Sequence, residues 1–287
     1  MAGSLASFVL MALAARQLAG RMPTVEILCL RSVVALVILL ALWPRLGPGA
    51  YATRRLGLHI ARNVIHFSGQ YAWVWGIALA PLALVTAIEF TTPVWVALLA
   101  AALLGERLSP ARWAAIASGV AGVLVIAQPG TASFGPGTAI VLAGALCYAA
   151  SILLVKRLVE TDPVTAIVFY MSLIQLPLGL AGAVFVWVWP AWSDAPWVLA
   201  MGVTSLTAHY CMGRALSLGD ASFVLPIDFL RLPCIALAAL VLYGEPIEPR
   251  TLLGAALIFA GNYWSVWRET RAGPAERPRP LSARPST

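Results

Sequence analysis

Apolar residues in this chain gather into runs near 20 residues long, broken by short stretches bearing proline, glycine or charge. The runs predict ten helices, at roughly 4 to 19, 24 to 43, 57 to 79, 82 to 104, 111 to 128, 136 to 156, 164 to 188, 196 to 217, 221 to 242 and 250 to 267. One polar stripe crosses the third run: His59, Arg62, His66, Gln70 and Trp73 recur at steps of three and four, which stacks them on one helical face. Fourteen steps at about 1.5 Å each carry that stripe about 21 Å, most of a bilayer's hydrocarbon depth. A polar stripe of that length lines a wet pathway.

Composition fixes the solvent. Of 287 residues, 61% are hydrophobic and 11% charged, and the mean hydropathy is +0.87, which excludes an ordinary soluble domain. A bilayer leaves backbone groups no water to bond, so spanning segments are helices or closed barrels, and runs of this length are helices. The fold class is an all-α polytopic membrane protein with ten transmembrane helices. The first run lacks the basic leader of a secretory signal, since Arg16 and Arg21 follow its apolar part, and it reads as the first helix.

Basic residues orient the chain. With the N-terminus inside, thirteen Lys and Arg fall on the cytoplasmic side and Arg16, Arg21 and Arg250 outside, which predicts cytoplasmic N- and C-termini in a bacterial inner membrane. Arg31, Arg62 and Arg231 remain within or beside membrane helices. The net charge of +7 is explained by this topology and by a basic, proline-rich tail over 268–287, read as disordered, so nucleic acid is not expected as a partner. Cys29, Cys147, Cys211 and Cys234 stand singly, and the three histidines show no ligand spacing, so no metal or cofactor is expected.

Shifting the chain by 139 residues against itself aligns Tyr71 with Tyr210, Glu89 with Asp228, Gly105-Glu106 with Gly244-Glu245, Pro110 with Pro249 and Gly122 with Gly261. The chain reads as a duplication, residues 1–134 and 135–267. Five helices per half is an odd number, so the halves are expected to lie inverted in the membrane around a central cavity. The segments GIALAPLALVTAIEFTTPVW and LLGERLSPARW, answered by HYCMGRALSLGDASFVLPIDFLRLP and LYGEPIEPR, resemble the ten-helix EamA-type branch of the drug/metabolite transporter superfamily. The resemblance implies a cavity lined chiefly by the third, fourth, eighth and ninth helices.

Ionisable groups inside a membrane face a cavity or a partner. Glu89 and Asp228 lie about 12 Å into their helices from opposite sides, near the midplane. Arg231, one turn after Asp228, either braces that helix as an internal ion pair or joins Asp228 in presenting opposite charges to a polar substrate, with Glu89 as a proton-titrating group across the axis; Glu89 with Arg62 is a further pairing. His66 and Gln70 align with Ser205 and His209, so a polar position recurs in both halves. Arg62, His66, Gln70, Tyr71, Glu89, His209, Tyr210, Asp228 and Arg231 are the candidate cavity residues, with Tyr71 and Tyr210 as flat walls. Pro226 and Pro233 bracket Asp228 and Arg231, predicting a locally unwound segment there.

Near misses to GxGD and GxSG, and no Walker motif, argue against an enzyme or an ATP-driven pump. A channel or scaffold is disfavoured by inverted halves with paired midplane charges. The expectation is a secondary carrier, monomer or homodimer, with protons as a coupling ion. Its substrate is a small organic metabolite, first an exported amino acid or related polar compound and alternatively an aromatic or heterocyclic nutrient such as a vitamin, taken up.

Overall fold

In the computed structural model, residues 2–47, 49–105, 108–128, 135–218 and 228–271 are described. They form α1 (Ala2–Leu18), α2 (Thr24–Leu46), α3 (Leu56–Leu79), α4 (Leu82–Glu89), α5 (Thr92–Leu104), α6 (Pro110–Ala127), α7 (Pro136–Leu158), α8 (Val164–Ala183), α9 (Ala195–Leu218), α10 (Arg231–Tyr243) and α11 (Pro249–Arg271), with no strand among the described residues. Five stretches, one of them α4 and α5 taken together, are long and apolar enough to cross a membrane. Outward faces carry large apolar side chains such as Val37, Leu103 and Leu253, and beyond α8 Trp189 and Trp192 stand almost fully exposed, as aromatic residues do at membrane boundaries. Residues 221–227 of the predicted ninth run, and the tail from 272, lie outside the described residues.

Helix ends follow the chain's punctuation. Gly105 and Gly244 cap α5 and α10 in the left-handed conformation, φ 67° and 64°, which costs a side chain but not glycine. Ser109 accepts a hydrogen bond from the Arg112 backbone N–H at 3.2 Å and starts α6. The seventh run was expected to continue to 188, but α8 ends at Ala183. Residues 184–188 are apolar enough to extend the hydropathy signal, yet the chain turns, and the Glu26 carboxylate accepts the Val188 N–H at 3.0 Å.

The halves pack crosswise and reciprocally. The most extensive pairings are α1 on α9 with α3 on α7, α2 on α8, and α6 on α11; under the 139-residue alignment each either exchanges with another or maps onto itself. Small residues bring these helices close, because hydrocarbon supplies no hydrophobic drive between helices and tight contact must replace it. Gly69 and Gly144 face each other's carbonyl oxygens across α3 and α7, and a Cβ on either would come to 3.2 Å. Gly122 and Gly254 do the same across α6 and α11, where Ser118 donates to the Leu257 carbonyl at 2.6 Å.

Polar ties close the bundle at both ends. At one, the Glu245 carboxylate accepts the Leu82 N–H, the first donor of α4, at 2.7 Å and pairs with Arg16, which also donates to the Ile77 carbonyl. At the other, His59 on α3 bonds Asp162, in the α7–α8 loop, through Nε2 at 2.8 Å; both are buried. Burial works to raise the Asp162 pKa, but hydrogen bonds from Thr53, His59 and Thr161 outweigh it and hold the carboxyl below the usual aspartate value.

Two outcomes follow from these contacts. Gly254→Ala places a Cβ 2.6 Å from the Gly122 carbonyl oxygen and should cost about 1 to 3 kcal/mol by forcing α6 and α11 apart, read as a lower apparent melting temperature in detergent. Asp162→Asn should cost about 1 to 3 kcal/mol at pH 7, because a buried charge-assisted bond is lost. A group whose folded pKa is depressed contributes above its unfolded value, about 3.9 for aspartate, and its contribution fades as pH falls through the lower folded value; thermal scans from pH 7 downward should therefore show variant and native protein converging below pH 4, and a constant gap would contradict the assignment.

Candidate substrate site

The fourth transmembrane stretch breaks in its middle. Helix α4 ends at Glu89, Phe90 and Thr91 form a turn, and α5 begins at Thr92, with Pro93 in its first turn, where a missing N–H costs nothing. Such a break frees carbonyls that the membrane cannot hydrate, and neighbouring hydroxyls satisfy them. Thr91 Oγ1 donates to the Ile88 carbonyl at 2.7 Å and Thr92 Oγ1 to the Glu89 carbonyl at 2.6 Å.

The second half repeats the break. Asp228 is helical, Phe229 and Leu230 turn, and α10 begins at Arg231. This agrees with the predicted unwound segment between Pro226 and Pro233, although Pro226 itself lies outside the described residues. Residues aligned by the repeat, Glu89-Phe90-Thr91 and Asp228-Phe229-Leu230, therefore do the same thing: each presents a carboxylate just where its helix stops. Phe90 and Phe229 meet with ring centroids 4.5 Å apart.

Arg231 joins the two breaks. Its Nη2 donates to Glu89 Oε1 at 3.1 Å and lies 3.6 Å from Asp228 Oδ2. Its guanidinium sits over Phe8 at 4.7 Å and Phe90 at 4.9 Å, rings whose faces favour a cation. The intrahelical Asp228–Arg231 pair read from the sequence is present, but the shorter bond reaches across to Glu89. Glu89 does not pair with Arg62. Asp228 Oδ1 and Arg231 Nε are buried with no hydrogen-bond partner among the described residues. Trp73 packs beside Glu89.

The stripe on α3 enters a second polar cluster. Arg62 donates to Asn63 Oδ1 at 2.7 Å, Gln175 Nε2 reaches Asn63 Oδ1 at 3.3 Å and His66 Nδ1 at 2.9 Å, and Arg31 donates to Gln175 Oε1 and, at 3.1 Å, to Ser205 Oγ. His209 bonds the Ser205 carbonyl at 2.7 Å, and its ring lies edge-on to His66, centroids 5.5 Å apart. Tyr148 packs on His66 at 5.5 Å and Phe8 on His209 at 5.6 Å. Phe8 thus touches both His209 and Arg231, which makes the two polar clusters neighbours. Gln70 is buried with its Oε1 unpartnered among the described residues.

Tyr210, which follows His209 on α9, is 39% exposed, whereas His209 bonds within the cluster. Tyr71 is half-buried against Trp75 rather than in the cluster. His59, the first residue of the stripe, bonds Asp162 in the α7–α8 loop and lies outside the cluster. Arg31, on α2, is central to the cluster through Gln175 and Ser205. Gln175 was missed, and a lone amide in the apolar run 164–188 was the signal for it. A shallow cleft lined by Leu79, Pro81, Leu84, Pro136, Glu248 and Arg250 lies elsewhere, at the α3 C-terminus, about 20 Å along the helix from His66.

Comparison with known proteins places this geometry. The EamA-like transporter family matches over residues 1–128 and again over 135–267. The riboflavin transporter of Rhizobium johnstonii is 33% identical over 229 residues, covering 79% of this chain and 76% of that protein. The S-adenosylmethionine uptake transporter of Rickettsia prowazekii is 24% identical over 257 residues, 90% of this chain and 87% of that protein. A solved crystal structure at 20% identity shares the fold, with a TM-score of 0.67 over 94% of this chain and 97% of its own. The two named relatives are transporters, not enzymes: the chain is a multi-pass membrane protein of the EamA-like transporter family, in the drug/metabolite transporter superfamily, and a transporter of small metabolites.

Proposed function

We propose that the protein takes up a flat nitrogen heterocycle bearing a hydroxylated chain or sugar, by alternating access of two inverted halves. The similarity to a riboflavin transporter across most of both chains carries this reading. Riboflavin and S-adenosylmethionine, named for two relatives, share that chemistry, which favours the heterocyclic-nutrient alternative over amino-acid export. Phe8, Phe90, Phe229, Trp73 and Tyr148 around the charged centre suit a flat ring.

Inversion is supported by the reciprocal packing of the halves and by the matched helix breaks at Glu89 and Asp228. With the N-terminus cytoplasmic, the His59–Asp162 tie closes the inner end and the Arg16–Glu245 tie the outer, so the arrangement is occluded. Arg62, His66, Gln70, Glu89, His209, Asp228 and Arg231 line the site in this reading. Proton coupling runs through Glu89: protonation removes one of the two carboxylates that hold Arg231 and loosens the contact between halves.

Proteoliposomes test this directly. Native protein should accumulate labelled riboflavin or S-adenosylmethionine and exchange it in counterflow; movement of neither would overturn the substrate class. Glu89→Gln should lower uptake driven by a pH gradient at least about tenfold, the loss of one driving contact worth about 1.4 kcal/mol, while counterflow persists. A full pH-driven rate in that variant would remove the proton role.

A further inference from the structure

Among the described residues, three buried guanidiniums occupy the bundle, and one of them is neutralised. Arg231 has two carboxylates. Arg31 and Arg62 are 2% and 4% exposed, yet among the described residues neither has a carboxylate within ion-pairing distance, and their recorded side-chain partners are Gln175, Ser205 and Asn63. The Nε of each is buried without a partner among the described residues. They are close together, joined through Gln175 and Asn63, the amide of Gln175 bonding both Arg31 and the Asn63 oxygen that Arg62 also uses.

Two unpaired cations within a bilayer carry a desolvation cost of several kcal/mol each. Packing alone gives no reason to retain them, since apolar side chains of the same volume would fill the space at lower cost. A guanidinium with an unused N–H beside used ones presents the planar fork that binds an oxyanion through two parallel hydrogen bonds. Gln175 and Ser205 hold Arg31 in place, as Asn63 holds Arg62, so the forks are oriented before any ligand arrives.

We propose that Arg31 and Arg62 form an oxyanion subsite, so that the transported molecule carries a carboxylate or phosphate. This rests on the uptake reading above and narrows it. The ring of the substrate lies among the aromatic side chains, and its oxyanion reaches Arg31 and Arg62. The Glu89–Asp228–Arg231 cluster, with two negative charges and one positive, forms an opposite pole for any cationic group of the same molecule.

Congeneric pairs isolate the oxyanion: riboflavin against riboflavin 5′-phosphate, and S-adenosylmethionine against its decarboxylated form. Affinities of the purified full chain are measured by thermal stabilisation, since a ligand that binds only the folded state raises its apparent stability, and by competition in proteoliposome counterflow. The oxyanion-bearing member of a pair should bind at least about tenfold tighter, and Arg31→Gln or Arg62→Gln should abolish that preference, bringing the two members of the pair to equal affinity. Arg31→Lys and Arg62→Lys, which keep the charge and the fold but lose the fork, should reduce it about threefold or more. Equal binding within both pairs, or a preference that survives the glutamine or lysine substitutions, would overturn the subsite and leave heterocycle uptake standing. Equal stabilisation by inorganic phosphate alone would also overturn it, because the anion would then not belong to the transported molecule. Binding and transport of no member of either pair would overturn the uptake reading and the subsite together.

Discussion

Everything at the centre of this molecule depends on a backbone that stops being helical inside a membrane. An unsatisfied peptide group there costs several kcal/mol, so a helix breaks only where something else supplies the lost bonds. Thr91 and Thr92 return hydroxyls to the Ile88 and Glu89 carbonyls, and Pro93 has no N–H to lose. With the backbone satisfied, Glu89 is left at a helix end where a carboxylate can meet Arg231 from the other half. The ion pair is thus a consequence of the break as much as of the charges.

The break also explains why Arg231 can be buried. A lone guanidinium in hydrocarbon is untenable, and a single carboxylate repays the desolvation only with good geometry. Here two carboxylates and two aromatic faces converge on it. Around that centre the polar ties at both ends, from Glu245 after α10 to the start of α4 and from Asp162 to His59 on α3, fasten the two halves to each other.

Much of this was legible in the chain. Ten apolar runs, the glycine caps at Gly105 and Gly244, and the Ser109 start followed from composition and local rules, because those rules act within a few residues. The pairing of Glu89 with Arg231 was not, since residues 142 apart in sequence meet only through packing; the i,i+3 rule pointed to Asp228 because it is the one pairing that sequence spacing can see. Arg31 and Gln175 stood alone in apolar runs, and only their meeting gave them meaning.

The repeat divides the buried residues into two kinds. Carboxylates are shared by the halves: Glu89 answers Asp228, and each ends a broken helix. Cations are not. Under the same alignment Arg231 falls on Thr92, Arg62 on Met201 and Arg31 on Tyr170. Features that both halves retain belong to what both halves do, which in a pair exchanging conformations is the cycle itself. Features present in one half cannot serve a symmetric cycle; they make the centre polar in one direction, and a polar centre holds an unsymmetrical molecule in one orientation. In the proposed reading, the carboxylates and the breaks shared by both halves serve the cycle, and Arg31 and Arg62, confined to one half, serve recognition.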